Sequence, residues 1–311
     1  MDNKVEVKSS GFIEANTVPI HLDEIKGEHI IPVFLKDNEP TISHVDFIKV
    51  VSEAAADVFD IPFTPDADIR VSHPVKGRVY DARYKKAAEL LDHEKTIYYE
   101  RMAFIMSLPI SDNISGNTLE LTVGGVKAYN LDNLNNNNGS QSFKVFIGYK
   151  NTVCTNLCVS TDGLLADLKV STENELYEEV FQLFKSFKCD RYLEELKLLP
   201  EYHLSEHQFA TLIGKARLYQ YLPKSFKEEI PELLINDTQI SRVAESYFKD
   251  SNFQMSSDGT IDLWRFYNLL TGAVKSSYID TVLEKQANAF QFTKLVQEAL
   301  NNDPESLWYL N

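Results

Sequence analysis

The chain has 311 residues, of which 43% are hydrophobic and 25% charged, proportions typical of a soluble globular protein with one large domain or two ordinary ones. Its formal net charge of −15 is spread evenly, with −7 up to Val170 and −8 beyond it. This disfavours nucleic-acid binding through a generally basic surface and leaves only a local basic strip for that role. Three cysteines, a polar N-terminus and the lack of any run of about 20 apolar residues predict a cytoplasmic protein that does not enter a membrane.

The N-terminal part of the chain is predicted to contain a polar tail, a short strand and a helix. Residues 1–20 are polar, and we expect them to be disordered. A short edge strand is predicted at His29–Leu35, where Pro32 cannot donate to a sheet ladder. Ser43 is then a favourable N-cap for a helix over His44–Phe59, which has apolar residues at helical spacing.

The most basic window of the chain follows, from Arg70 to Lys86. It contains six lysines and arginines and a single acidic residue, Asp81. Its proline and glycine positions indicate turns. The last part of the window leads into Ala82–Leu91, which we expect to form a short helix before the first long strand.

Three long β-patterned runs, separated by turn signals, occupy the centre of the chain from Glu94 to Gly163. In the third run, Phe143 and its alternate residues are expected on one face of a sheet and Lys144 on the other. In the first run both alternating sets are largely apolar, so Glu100 and Arg101 need partners if they are buried. Helical segments on either side are expected to cover this apolar sheet.

Glycines mark two further features of the β-patterned runs. Gly124-Gly125 lies inside the second run without the context of a phosphate-binding loop, and it predicts a bulge or the close approach of another backbone. Thr161-Asp162-Gly163 is a strong turn signal, after which Leu164–Val170 is expected to pair back as a fourth strand. The asparagine-rich segment between the second and third runs is expected to be a solvated turn.

From Ser171 the hydrophobic period changes from two to about 3.6, and Thr172 with Glu175 forms a capping-box pattern ahead of the first of several helices. The element order therefore predicts an α+β fold, a mainly antiparallel β-meander with N-terminal helices and an α-helical C-terminal half. We expect a disordered tail at 1–20, an α+β domain with the antiparallel sheet at 21–170, and a helical region at 171–311 packed on it.

One stretch matches the HxxEH pattern of some zinc peptidases, with His203, Glu206 and His207 at the required spacing. That chemistry needs both histidines one turn apart on one helix face. However, Ser205 and Gln208 form a capping box that places His203 before the helix. The sequence therefore predicts neither a metal site nor a cofactor.

Cys154 and Cys158 are four residues apart in the third β-patterned run and are expected to share a strand face. An extended strand separates them by about 13 Å, which is too far for a disulfide. We interpret them as small buried residues in preference to nucleophiles.

Two groups of polar residues are candidates for binding. In the basic window, the cations are suited to phosphate oxygens, and Arg78 has the geometry of a bidentate clamp. The neighbouring aromatic strand, with Tyr98, Tyr99 and Phe104, has surfaces suited to base stacking. The alternative is a solvated basic turn beside an aromatic sheet core. The candidate binding residues are His73, Lys76, Arg78, Arg83, Tyr98, Tyr99, Asn156, Asp162 and Lys275, and no catalytic residue is predicted.

Several strings together resemble a known family. They are SHPVKGR (Ser72–Arg78), EKTIYYERMAF (Glu94–Phe104), GGVKAYN (Gly124–Asn130), FKVFIGYKNTVCTNLCVSTDG (Phe143–Gly163) and LWRFYNLLTGAVKSSYID (Leu263–Asp280). The chain resembles a family of uncharacterised Bacteroidetes proteins, a domain of unknown function, from about Ile31 to Asn311. Its VCTNL and STDG elements are also similar to plasmid- and phage-borne proteins of unknown function. The resemblance implies a mobile-element or prophage context and supplies no catalytic residues.

These observations favour a non-enzymatic, cytoplasmic accessory protein of a mobile genetic element that binds nucleic acid locally or a protein partner. One alternative is an enzyme whose site lies where the basic turn meets Asn156, Asp162 and Lys275. Another is an acidic structural or inhibitory module that binds proteins, since an acidic surface suits mimicry of nucleic acid.

Overall fold

The computed structural model describes residues 11–15, 17–28, 41–62, 67–129 and 140–311. The strands are β1 (Val18–Ile20), β2 (Asp68–Val71), β3 (Pro74–Arg78), β4 (Lys95–Tyr99), β5 (Arg101–Ile114), β6 (Asn117–Ala128), β7 (Gln141–Asn151), β8 (Leu157–Val170), β9 (His203–Leu204) and β10 (Ile261–Asp262). The helices are α1 (Leu22–Glu28), α2 (His44–Phe59), α3 (Glu173–Ser186), α4 (Cys189–Leu198), α5 (Glu206–Tyr221), α6 (Lys224–Lys227), α7 (Asp237–Lys249), α8 (Leu263–Val274) and α9 (Val282–Asn301).

The strands form one large antiparallel sheet and two small ones. The large sheet has the order β1-β2-β5-β6-β7-β8, so its four long strands form a meander. The pairs β3–β4 and β9–β10 form separate two-stranded sheets. The predicted α+β class with a mainly antiparallel sheet and an α-helical C-terminal half is confirmed. In the part of the chain that the structure describes, no helix has both the length and the hydrophobicity needed to cross a membrane.

Helices cover both faces of the large sheet. On one face, the ring of Phe47 in α2 lies 5.2 Å from that of Phe104 and 4.8 Å from that of Phe143. On the other face, Lys144 forms an ion pair with Glu284 of α9. Phe143 and Lys144 therefore point to opposite faces, as their alternation predicts. Since each face is buried under helices, both alternating sets of the strands are apolar.

The N-terminal region differs from the predicted disordered tail. Residues 1–10 lie outside the described residues, but Phe12 and Ile13 are buried and β1 pairs with β2. The prediction of disorder is wrong for this part because two apolar side chains anchor it to the core. The predicted strand at His29–Leu35 lies outside the described residues, as does most of the asparagine-rich segment. The division at 170 into a domain and a helical region stays a prediction.

The predicted N-terminus of α2 is confirmed. The Ser43 hydroxyl accepts a hydrogen bond from the Asp46 N–H (3.1 Å), and the Asp46 carboxylate accepts one from the Ser43 N–H (3.1 Å). This capping box satisfies two backbone donors that a helix start would otherwise leave unpaired.

Residues 82–91 do not form the predicted short helix. The chain makes three single 3₁₀ turns at Tyr80–Ala82, Ala87–Glu89 and Asp92–Glu94. The Glu89 carboxylate accepts from the Lys86 N–H, and the Glu94 carboxylate accepts from the Leu91 N–H (3.0 and 2.9 Å). Each of these bonds starts a new turn, so local side-chain contacts replace a continuous helix.

The first β-patterned run is two strands. β4 ends at Tyr99 and β5 begins at Arg101, so the chain passes from one sheet to another at Glu100. The partner expected for Arg101 is Asp280, whose Oδ2 lies 2.9 Å from the arginine Nε. Glu100 also lies beside this guanidinium, with 3.5 Å between the charged atoms.

The third β-patterned run turns earlier than predicted. Its turn is at Thr152–Asn156, where the Asn151 N–H donates to the Asn156 carbonyl (2.9 Å) and the Thr155 N–H to the Asn151 carbonyl (2.8 Å). The predicted turn at Thr161–Gly163 is instead an irregularity within β8, where the pairing register with β7 shifts. Cys154 thus lies in the turn and Cys158 in the strand, so they do not share one strand.

Predicted contacts in β6 and at the start of α5 are confirmed. A Cβ added to Gly125 would lie 2.5 Å from both the Lys144 carbonyl oxygen and the Phe47 ring, so another backbone does approach closely. At α5, the Ser205 hydroxyl and the Gln208 side chain form the predicted capping box. His203 accordingly lies in β9, before the helix, and not on a helix face with His207.

Candidate nucleic-acid interface

The basic window forms a β-hairpin outside the large sheet. In the β3–β4 pair, Lys76 is opposite Ile97, Arg78 opposite Lys95, and Pro74 opposite Tyr99. Directly opposed residues of antiparallel strands point to the same side. Ile97 is 40% exposed and its neighbour Thr96 only 4%, which identifies the outer side. We define the hairpin face as Pro74, Lys76, Arg78, Lys95, Ile97 and Tyr99.

The hairpin and its connection are locally basic in an acidic protein. Residues 70–99 contain seven lysines and arginines and four acidic residues, a net charge of +3. Two of the acidic residues form ion pairs with lysines of the same segment: Asp92 with Lys95 (2.6 Å) and Glu94 with Lys85. Within the described residues, Lys76, Arg78 and Lys86 take part in no ion pair. These cations are therefore available to an anionic ligand.

The connection between β3 and β4 is tied back to the hairpin. Arg78 donates to the Lys85 carbonyl, and the Val79 N–H donates to the Glu94 carbonyl (2.9 Å). Ala82 is fully buried and anchors the first turn. Because these contacts restrain the backbone, the cations of the turn stay beside those of the strands.

The three aromatic residues predicted to stack have different environments. Tyr99 belongs to the hairpin face, and its carbonyl accepts a hydrogen bond from His44 Nε2 (2.8 Å). Tyr98 points to the opposite side, where its ring centroid lies 6.2 Å from that of Tyr129. Phe104 is fully buried in the core of the large sheet and has no surface for a base. Only Tyr99 therefore shares a face with Lys76.

The remaining predicted residues of the basic window are solvent-exposed. His73 lies in the link between β2 and β3, and Arg83 lies in the connection, with its guanidinium 4.5 Å from the centre of the Tyr84 ring. Tyr84 itself is 85% exposed and was missed by the sequence analysis. The signal that points to it is its position between cations in the string RYKK.

Asn156 and Lys275 do lie together, at the β7–β8 turn. The side-chain amide of Asn156 donates to the Asn268 carbonyl (2.9 Å). Lys275 is 3% exposed and donates to the Cys154 carbonyl and to the Thr155 hydroxyl (2.9 Å). The C-terminal end of α8 is thus attached to the turn by buried polar contacts.

The β7–β8 turn contains an unusual backbone conformation. Thr155 has a φ of 56°, in the left-handed region that a β-branched residue rarely adopts. The hydrogen bond from Lys275 helps to hold it there. Burial lowers the pKa of Lys275 and raises the pKa of Cys154 to about 11. The thiol therefore stays protonated near neutral pH, which is unfavourable for a nucleophile.

Cys154 should consequently react slowly with a thiol reagent. Because its pKa is about 11, the ionised fraction at pH 7 is small, and labelling should be on the order of 100-fold slower than in the unfolded chain. The native rate should rise as the pH approaches the pKa, since thiolate is the reacting form. Timed alkylation with mass spectrometry measures each cysteine separately. Equal rates for native and unfolded Cys154 would contradict this expectation.

Asp162 lies at a third place, a polar cleft beside the irregular part of β8. The cleft has a volume of about 500 Å³ and is lined by side chains of β8, α3, α4 and α9. The other charged residues that line the cleft are Lys188, Arg191 and Glu195, and Arg191 Nε lies 3.2 Å from Glu195 Oε1. This balanced set of charges suits a small polar molecule and does not suit a polyanion.

The hairpin and the β7–β8 turn are far apart. The hairpin joins the large sheet at Arg101, near the start of β7, whereas the β7–β8 turn is at the other end of that strand. Nine residues of β7 separate its start, where the hairpin joins the sheet, from the β7–β8 turn, and they span about 30 Å. The structure therefore does not bring the basic turn together with Asn156 and Lys275, as the enzymatic hypothesis required. Among the residues described, no cluster of three or more His, Cys, Asp or Glu is placed to hold a metal ion.

Comparison with models of known protein families gives a match over nearly the whole chain. A family model described as "Domain of unknown function, B. Theta Gene description (DUF3871)" matches residues 2–310. No curated protein and no solved structure matches the chain.

Proposed function

The chain belongs to the DUF3871 family, a domain of unknown function, and for it we propose nucleic-acid binding through the hairpin face. The protein contacts the phosphate backbone with Lys76, Arg78 and the neighbouring cations of the β3–β4 connection. The acidic remainder of the surface keeps the polyanion away from other parts of the molecule. Binding is therefore local and non-enzymatic.

The observation that supports this proposal most directly is the register of the hairpin. It places Lys76, Arg78 and Lys95 on one side of a two-stranded ribbon, next to Ile97 and Tyr99. Ile97 is 40% exposed, whereas Tyr99 is partly buried and packs against the core. Cations beside an exposed apolar side chain suit a ligand with both phosphates and bases.

We further propose that this binding serves a mobile genetic element in the cytoplasm. This context is the one that the sequence resemblance of the VCTNL and STDG elements implies. Accessory proteins of such elements meet nucleic acid during transfer, replication or packaging, so a locally basic surface on an acidic protein fits that setting.

The salt dependence of binding tests the proposal. With four phosphate contacts, the slope of log affinity against log salt should be about −3 for a single strand. Fluorescence anisotropy of a labelled oligonucleotide, titrated with the full chain at several salt concentrations, measures this slope. A heat-denatured sample is the control for non-specific adsorption. Absence of binding to single- and double-stranded DNA and RNA at low salt, or a slope near zero, would contradict the proposal.

Failure of this test would favour a protein partner. Ile97 and Leu91 are 40% and 55% exposed, and both lie in the hairpin and its connection. Exposed apolar side chains ringed by charges are also typical of a surface that binds protein. The same face would then be the interface of the alternative, protein-binding hypothesis.

A further inference from the structure

Tyr84 is the most exposed of the large apolar and aromatic side chains in the described residues, at 85%. It lies in the connection between β3 and β4, directly after Arg83 and before Lys85. The Lys85 carbonyl accepts a hydrogen bond from Arg78. The Cα atom of Tyr84 is about 3.8 Å from that of Lys85, as for any consecutive residues. Tyr84 is therefore next in the chain to a residue that contacts Arg78 of the hairpin face.

The Arg83 side chain contacts one face of the Tyr84 ring. The Arg83 guanidinium lies 4.5 Å from the ring centre, a distance within the range of a cation–π contact. One face of the ring is thus covered by a cation, and with 85% of the residue exposed the other face is open to solvent. An aromatic ring held in this way presents a flat surface to a planar ligand.

The backbone beneath Tyr84 is also restrained. The Ala82 N–H donates to the Val79 carbonyl (3.0 Å), and the Lys85 N–H donates to the Ala82 carbonyl (3.0 Å). Ala82 is fully buried, and Lys85 pairs with Glu94. Restraint on both sides of the residue lowers the entropy lost when a ligand stacks on it.

We propose that Tyr84 stacks on an unpaired nucleobase, so that the hairpin face takes single-stranded in preference to double-stranded nucleic acid. The inference rests on the proposed function. In a duplex the faces of the bases are occupied by their neighbours, so the ring has no partner there. In a single strand each base offers a free face, and the Arg83–Tyr84 stack is extended by one ring. Lys76 and Arg78 then contact the adjacent phosphates.

Strands with and without bases separate stacking from phosphate contact. The full chain is titrated into labelled oligothymidine of about 12 nucleotides, into an abasic strand of equal length and charge, and into a duplex. The parent should bind oligothymidine at least about fivefold more tightly than the abasic strand, the lower end of the effect of one stacked base. Tyr84→Ala should reduce this preference by about fivefold, the share of one stacked base, and leave any contribution from Ile97 and Tyr99 of the hairpin face.

Two further variants control for the ring and for the substitution itself. Tyr84→Phe keeps the stacking surface and should keep the preference for bases. Tyr221→Ala removes a tyrosine that is 76% exposed in α5, remote in sequence from the hairpin, and should change neither affinity. Thermal melting of each variant verifies that the fold is intact.

The outcomes distinguish this inference from the proposed function. Equal affinity of the parent for the two strands, or a Tyr84→Ala variant whose preference is undiminished, would overturn the inference while phosphate binding stands. Tighter binding to the duplex than to oligothymidine would overturn it in the same way. Binding to none of the probes would overturn both.

Discussion

Replacing Lys76, Arg78 and Arg83 together by alanine is expected to remove most nucleic-acid binding, with a loss on the order of 100-fold near physiological salt. Each residue lies on the hairpin face or in the β3–β4 connection. Each replacement therefore removes one cation that can contact a phosphate of the nucleic acid. The slope of log affinity against log salt should become shallower by about two units, since each phosphate contact on a single strand contributes about 0.7. Anisotropy titrations of parent and variant at several salt concentrations measure both quantities.

A matched variant controls for total charge. Lys169, Lys224 and Lys249 are exposed and lie outside the hairpin, so their joint replacement makes the same change in net charge. That variant should bind nearly as the parent does. Because Arg78 also donates to the Lys85 carbonyl, thermal melting of the hairpin variant must accompany the titration. A folded hairpin variant that binds as tightly as the parent would show that the basic window is a structural turn.

Helix α2 and the helices of the C-terminal half were predictable because their signals are local. The Ser43 capping box, the Ser205 capping box and the apolar spacing of each helix depend on residues within one or two turns of each other. The same holds for the antiparallel meander, whose long strands follow one another along the chain. Elements of this kind form wherever local preference and burial agree.

Misplaced turns show where local signals fail. Thr161-Asp162-Gly163 has the composition of a turn, yet β8 continues through it. A Cβ on Gly163 would lie 2.3 Å from the Ile147 carbonyl, so this glycine is required by a neighbouring strand. The actual turn is held in part by Lys275, which is 120 residues from Thr155. A contact at that separation leaves no pattern in the turn's own sequence.

The candidate site was only partly predictable for the same reason. The concentration of cations between Arg70 and Lys86 is visible in the sequence, but their common face depends on the pairing of β3 with β4. That register decides that Tyr99, and not its neighbour Tyr98, lies on the side of Lys76. Tyr84 has no alternation pattern around it, and its exposure follows from turns that replaced the predicted helix.

Substitution of Gly124 by alanine is expected to have the largest effect on stability. Gly124 lies in β6 between β5 and β7, and an added Cβ would lie 2.2 Å from the Phe104 carbonyl oxygen and 2.8 Å from the Phe146 ring. The carbonyl belongs to the β-ladder, so it cannot move without loss of strand pairing. We expect a loss of about 3 kcal/mol or more in the free energy of unfolding, which is a large part of the roughly 5–15 kcal/mol of a typical domain.

Gly214→Ala is the matched control for Gly124→Ala, because it makes the same chemical change in a different environment. Gly214 is exposed in α5, and apart from its chain neighbours and the backbone of its own helix no atom lies within 4 Å of a Cβ added there. Alanine should stabilise this helix by about 0.5–1 kcal/mol, since glycine has more conformational freedom to lose on folding. Urea unfolding followed by circular dichroism compares the two variants with the parent. The urea concentration at the unfolding midpoint should be lowest for Gly124→Ala, intermediate for the parent and highest for Gly214→Ala. A Gly124→Ala midpoint equal to the parent's would mean that β5 and β7 can move apart without a loss of stability. If β5 can move in this way, the hairpin is not held rigidly on the large sheet, because β4 leads directly into β5 at Arg101.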